Sequence, residues 1–206
     1  MEEENFNLLL LGNKNVGKTS FILRYCDNKY EESILSTAGI DLRNKEIERN
    51  KKKINLKIFD TAGQERFRSI SRNYFKSSDG ILLLYSINDI ESFNSIKEWI
   101  ASIKEVVDLA DIGLVIVGNK LDLSEKREVT DLMREDLEQN LKIKIFEASA
   151  KDNINIENCF NTLIDKVYEL RFGVNLSERQ LVKKNTLKLK KECKKKNKCC
   201  SKEKVE

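Results

Sequence analysis

Gly12 is followed by four residues and then by Gly17, Lys18 and Thr19 in the stretch GNKNVGKTS. The apolar run Phe6–Leu11 precedes this stretch, and Lys18–Cys26 has the spacing of a helix. A glycine-framed loop between a strand and a helix is a cradle for phosphate. Backbone N–H groups from Asn15, Val16 and Gly17 through Lys18, Thr19 and Ser20 converge on a β-phosphate, aided by the helix N-terminus. Lys18 is suited to bridge the β- and γ-phosphates, and the Thr19 hydroxyl to ligate Mg²⁺.

Three further groups could complete such a site. The run Ile54–Phe59 ends at Asp60, which opens Asp60-Thr61-Ala62-Gly63-Gln64. An acid at the end of a buried strand beside a phosphate loop can hold the water shell of Mg²⁺. Gly63 can offer its N–H to a γ-phosphate, and Gln64 can orient an attacking water without being a strong base. Asn119-Lys120-Leu121-Asp122 follows the run Gly113–Val117. Asp122 can accept both N1–H and N2–H of guanine, donors that adenine lacks, and a mismatch there leaves buried polar groups unpaired. Ser149-Ala150-Lys151 follows Lys144–Glu147 and would give the Ala150 N–H to guanine O6. Either short motif is weak evidence alone; their order at successive strand ends is strong evidence.

These groups need a frame. Ile40–Glu48 and Ile54–Phe59 read as two strands around the polar turn Arg49-Asn50-Lys51-Lys52. Gly80–Ser86 is a buried strand, and Ile90–Val107 has helical spacing through Phe93, Ile96, Ile100 and Ile103. Val129–Gln139 is a weaker helix, and Ile156–Arg171 a final one with Phe160, Leu163, Ile164 and Val167 inward. Alternating strands and helices predict an α/β, three-layer fold: a mostly parallel six-stranded sheet, one antiparallel edge strand, and helices on both faces. Ligands of such folds sit at the carboxyl ends of the strands, where every motif above falls.

With these motifs in register from about Phe6 to Arg171, the sequence resembles a small GTPase of the Ras superfamily, the Rab family in particular. The Rab-like stretches are Ser36-Thr37-Ala38-Gly39-Ile40-Asp41, Asp60-Thr61-Ala62-Gly63-Gln64-Glu65-Arg66-Phe67, Arg68-Ser69-Ile70 and Tyr74-Phe75. The resemblance implies the P-loop GTPase fold, GTP and GDP as ligands, Mg²⁺ as cofactor, and Gln64 as the catalytic residue. It implies that Thr37 joins Thr19 and Asp60 (the latter through water) at Mg²⁺, and that Tyr30 packs against the edge of the base. The segments around 30–43 and 61–78 become switches ordered by the γ-phosphate and released on hydrolysis. It also implies exchange-factor, GTPase-activating, effector and GDP-dissociation-inhibitor or escort-protein partners, and a role in vesicle traffic.

The chain departs from the Rab pattern in three places. Lys14 and Asn15 stand where such loops carry a small residue and then glycine. Asn tolerates left-handed backbone angles, so Asn15 need not break the loop. Lys14 could add attraction to GTP or fill the space an activator's arginine needs, leaving a GTP-locked binding module; or it could extend into water and change little. The three aromatic positions of the Rab effector surface are here Leu42, Phe59 and Tyr74, an apolar but smaller patch. Paired cysteines, Cys199 and Cys200, are followed by six more residues and do not form a C-a-a-X box. The resemblance implies prenylation of that pair; palmitoylation of Cys193, Cys199 or Cys200 would serve the same end, and the alternative is a solvated tail with unmodified thiols.

Charge and composition divide the chain in the same way. Leu181 to the C-terminus carries 11 Lys against Glu192, Glu203 and Glu206, a net +8 out of a total of +4, so residues 1–180 are acidic at −4. Such a tail suits an anionic membrane surface. It has no aromatics and follows an acidic domain, which argues against nucleic acid; a nuclear-transport GTPase would usually end in acidic residues. We expect residues 1–5 as an N-terminal extension, 6–172 as the GTPase domain and 173–206 as a flexible lysine-rich tail. A chain of 206 residues can stand without disulfides, and its five cysteines make no metal pattern. The absence of histidine excludes Ser–His and Cys–His catalysis. With neither a secretory leader nor an apolar run of about 18 residues, we expect a cytoplasmic protein held at the cytoplasmic face of an endomembrane or vesicle.

Overall fold

A computed structural model describes residues 4–32, 39–61 and 74–173. Thr37, Gly63, Gln64, Cys193, Cys199 and Cys200 lie outside the described residues, as does the lysine-rich tail.

The strands are β1 (Glu4–Leu11), β2 (Ile40–Arg49), β3 (Lys52–Thr61), β4 (Gly80–Ser86), β5 (Gly113–Asn119) and β6 (Ile145–Glu147). They form one sheet in the order β2-β3-β1-β4-β5-β6. Every pairing is parallel except β2 with β3, the antiparallel edge expected from the sequence. That hairpin closes through Asn50 at φ 50° and Lys51 at φ 64°, two successive left-handed residues of the kind that match strand twist in a tight turn. β1 begins at Glu4, two residues before its apolar run, because Glu4 and Asn5 pair with Ile54 and Asn55 of β3. Strand pairing uses backbone groups, so it outruns the hydrophobic signal.

β1 is apolar from Leu8 to Leu11 because both its faces are covered there. Leu8 and Leu10 join Leu56 and Ile58 in one core; Leu9 and Leu11 join Ile81 and Leu83 in the other. The first core is roofed by α1 (Lys18–Asp27) and α4 (Ile156–Phe172), with Tyr25 stacked on Phe160 at 3.7 Å between ring centroids. The second is roofed by α2 (Ile90–Lys104) and α3 (Asp131–Leu141), through Phe93, Ile96, Trp99, Ile100, Ile103 and Leu137. Asp89 caps α2 by accepting from the Ser92 N–H, and Thr130 caps α3 by accepting from the Met133 N–H. That cap starts α3 two residues later than its apolar pattern suggested, since Val129 enters the core before the helix opens. α2 stops at Lys104 rather than Val107, where the N–H groups of Val106 and Val107 both turn back to the Ile103 carbonyl. A 3₁₀ helix at Leu121–Lys126 went unpredicted; it buries no residue, so no apolar period marks it. Among the described residues no helix is long and apolar enough to cross a membrane.

Candidate nucleotide-binding site

The loop between β1 and α1 needs its two glycines for space as well as for backbone angle. Gly12 has φ 136°, and a Cβ there would lie 2.1 Å from the Leu84 carbonyl oxygen. Gly17 has φ 90°, and a Cβ there would lie 2.5 Å from Nδ2 of Asn119. Asn15 takes φ 61°, the left-handed angle that asparagine tolerates better than most residues. Lys18 leads the helix, and its ammonium donates to the carbonyls of Gly12 at 2.9 Å and Asn13 at 2.8 Å. The side chain is only 5% exposed. Burial brings its pKa down to about 8, partly opposed by the nearby Asp60 carboxylate. A cation stripped of water in this way is ready to take phosphate oxygens in exchange.

Asp60, at the carboxyl end of β3, meets the first turn of α1. The Thr19 hydroxyl donates to Asp60 Oδ2 at 2.6 Å. This pairing sets two oxygen donors beside the Lys18 ammonium, the hard donor chemistry that Mg²⁺ prefers. No group of three or more acidic, cysteine or histidine side chains among the described residues could hold a metal alone.

A second cleft, of about 210 Å³, opens beside the phosphate loop. Gly17, Ser20, Tyr30, Asn119, Lys120, Asp122, Leu123, Ala150 and Lys151 line it. Asn119, 1% exposed, joins the three loops: Nδ2 donates to the Val16 carbonyl at 2.9 Å, and Oδ1 accepts from the Ala150 N–H at 3.3 Å. Lys120 adopts φ 66°, which turns the chain sharply at the end of β5, and burial lowers its pKa. The Ser149 hydroxyl donates to Asp122 Oδ1 at 2.6 Å, fixing that carboxylate at the cleft. Lys151 is exposed and lies 3.4 Å from Glu32.

The structure thus brings together Asn15 to Ser20, Tyr30, Asp60, Asn119, Lys120, Asp122 and Ser149 to Lys151. Leu42, Phe59 and Tyr74 also meet, at the outer edge of the sheet. Leu42 faces Phe59 across the β2–β3 ladder, and the Phe59 and Tyr74 rings are 5.6 Å apart. Lys14 is exposed and makes no hydrogen bond or ion pair among the described residues. Its neighbour Asn13 is pinned, with Oδ1 accepting from Trp99 Nε1 and Nδ2 donating to the Ser95 hydroxyl, both at 3.0 Å. Sequence reasoning missed this anchor and also Arg24, whose guanidinium reaches the carbonyls of Ala150 and Lys151. No motif marks either contact, because the partners are 82 to 127 positions apart in the chain.

A glycine-framed phosphate loop, an acid at the end of the adjoining strand and a base cleft beside them define the P-loop class of nucleotide-binding α/β proteins. The Ras family model matches residues 7–169. Human Ras-related protein Rab-3A is 43% identical over 164 residues, 80% of this chain and 74% of the relative. Rab-3C of Bos taurus is 41% identical over 160 residues, covering 78% and 70% respectively, and Rab-3 of Caenorhabditis elegans is 42% identical over 160, covering 78% and 73%. The chain belongs to the Ras family, among its Rab-type small GTPases. It binds GTP and GDP with Mg²⁺, hydrolyses GTP, and regulates vesicle traffic as a membrane-associated switch. Its partners fall in the general Rab classes: exchange factors, GTPase-activating proteins, effectors and GDP-dissociation inhibitors. Neither the GTP-locked module nor the nuclear-transport reading is favoured by these relatives.

Proposed function

We propose that residues 6–172 form the switch domain and that its roles fall on the residues brought together above. Lys18 and the N–H groups of Asn15 to Ser20 hold the β- and γ-phosphates. Thr19, Thr37 and, through water, Asp60 hold Mg²⁺, which when bound neutralises charge building on the phosphate oxygens. Gly63 donates to the γ-phosphate, and Gln64 orients the attacking water. Tyr30 packs on the base edge, Asn119 and Lys120 wall the base, and Asp122, Ser149, Ala150 and Lys151 read guanine. The observation that carries this reading is the Asn119 side chain, which ties the phosphate loop to Ala150 at the same cleft that Asp122 lines.

The test is a change of base. Asp122→Asn replaces an acceptor by a donor amide, which suits the 2-carbonyl of xanthine and rejects the 2-amino group of guanine. Affinity for GDP then falls and affinity for xanthosine diphosphate rises. An unchanged preference for GDP would remove Asp122 from base reading.

Leu42, Phe59 and Tyr74 form the effector-facing patch in this proposal. Residues 173–206 carry the anchor: lipid on Cys199 and Cys200, or on Cys193, with the surrounding lysines drawn to anionic lipid at the cytoplasmic face of a vesicle or endomembrane. One chain or one basic patch alone binds membranes only marginally, so the two signals act together. Lys14 slows GTP loss, because an exposed cation beside the γ-phosphate position both attracts the triphosphate and obstructs an activator's arginine.

A further inference from the structure

Arg24 sits in the last turn of α1, outside the base cleft, yet its donors converge on the loops that line it. Nε donates to the Ala150 carbonyl at 2.8 Å, and Nη2 to the Lys151 carbonyl at 2.9 Å. Nη1 reaches the Asn28 carbonyl at 3.0 Å and Asn28 Oδ1 at 3.3 Å. The guanidinium carbon lies 5.9 Å from the centre of the Tyr30 ring. Arg24 makes no ion pair among the described residues, so its charge is spent on backbone carbonyls and an aromatic face.

The contacts continue toward the base. The carbonyl that accepts from Nη2 belongs to the peptide whose N–H is that of Asp152. That N–H donates to the Ser149 hydroxyl oxygen at 3.0 Å, and the same hydroxyl donates to Asp122 Oδ1 at 2.6 Å. A cation at one end of such a chain polarises each bond along it. The other end is the carboxylate proposed to read guanine N1–H and N2–H. The planar fork also fixes geometry, holding two successive carbonyls of the base loop through two donors set rigidly in one plane.

We propose that Arg24 is a positioning residue for guanine recognition: it clamps the Ala150–Lys151 backbone, aims Asp122 through Asp152 and Ser149, and seats Tyr30 at the cleft. This rests on the proposed base site. It makes nucleotide release depend on a side chain that touches no nucleotide, and gives an exchange factor a contact to break without entering the cleft.

The experiment times release of ribose-labelled fluorescent GDP and IDP from the full-length protein, Arg24→Gln and Arg24→Lys. IDP keeps O6 but lacks the 2-amino group. Losing charge-assisted bonds to the loop speeds GDP release from Arg24→Gln on the order of tenfold. IDP release speeds up less, so the preference for GDP shrinks. Arg24→Lys falls between, since it keeps the charge and loses the fork. Unchanged GDP release from Arg24→Gln overturns the proposal. Equal acceleration of both nucleotides also overturns it, reducing Arg24 to a cap on the end of α1. A wild-type protein that releases GDP and IDP alike overturns the base-site reading and this proposal with it, a failure visible before any variant is compared. Should Arg24→Gln fold poorly, Arg24→Lys gives the same ratio by itself: an unchanged GDP preference in that variant overturns the proposal.

Discussion

Replacing Lys18 by methionine should stabilise the nucleotide-free protein while destroying its response to nucleotide. Lys18 is 5% exposed, and burial depresses its pKa from the ordinary 10.5 to about 8. At 1.36 kcal/mol per pH unit, holding the cation in this buried position costs about 3 kcal/mol. The sign follows from proton linkage: between pH 8 and 10.5 the unfolded chain binds more protons than the native one, so stability rises with pH across that window. The penalty is fully present below pH 8, fades above it, and is gone beyond 10.5. Methionine has similar length and no charge. It leaves the Gly12 and Asn13 carbonyls without their donor, which takes back roughly 2 kcal/mol, about 1 for each. Lys18→Met is therefore about 1 kcal/mol more stable than wild type in EDTA at pH 7. The assay is urea unfolding of both proteins, with and without Mg²⁺ and GDP, at pH 7 and pH 10. Wild type gains stability from GDP and the variant does not. The advantage of the variant shrinks at pH 10. An Lys18→Met protein that is less stable than wild type without nucleotide, or an advantage that ignores pH, refutes the argument that desolvation primes this lysine.

Three other substitutions address separate links. Lys14→Ser should leave GDP affinity within a few-fold and raise activator-stimulated GTP hydrolysis at least tenfold, against a family range in which intrinsic turnover is on the order of 10⁻⁴ s⁻¹ and activators add roughly 10⁵; equal single-turnover rates, with and without activator, dispose of the idea. Tyr85 is fully buried against Phe93, its hydroxyl has no hydrogen-bond partner among the described residues, and burial pushes its pKa up. Tyr85→Phe should thus hold or raise stability by about 1 kcal/mol, read from the urea midpoint, and a loss of that size would show that the hydroxyl is satisfied. Changing Cys199 and Cys200 together to serine should move the protein from membranes to the soluble fraction of its own cells, with intact-mass analysis reporting the lost lipid; unchanged fractionation and mass would remove the anchor from those residues.

The phosphate loop, Asp60, Asn119, Asp122 and Ala150 were legible because each is tied to the carboxyl end of a strand, and a strand end is a local event. β1, β4 and β5 advertise themselves as continuous apolar runs, since helices bury both faces. The same local logic caught the antiparallel hairpin, where Asn50 and Lys51 punctuate two strands. It failed for the 3₁₀ helix at Leu121–Lys126, which buries nothing and so leaves no period. It failed for the start of β1, where Glu4 and Asn5 pair through backbone groups that no side-chain pattern reports.

Lys14 and Arg24 show the two ways a cation can mislead a reader of sequence. Lys14 draws attention because it stands in a motif, yet it is exposed and without a hydrogen bond or ion pair among the described residues. The effect proposed for it on hydrolysis depends on groups brought by nucleotide and activator, not on contacts already made. Arg24 draws none, because helix spacing treats it as an ordinary residue of the last turn. Two of its four hydrogen bonds join α1 to a loop more than 120 positions away, and through Asp152 and Ser149 to the carboxylate proposed to read the base. If the GDP preference falls when Arg24 is shortened while Lys14→Ser leaves that preference intact, the two cations divide the switch between them. Arg24 then governs which nucleotide is held and for how long, and Lys14 how fast the held GTP is lost.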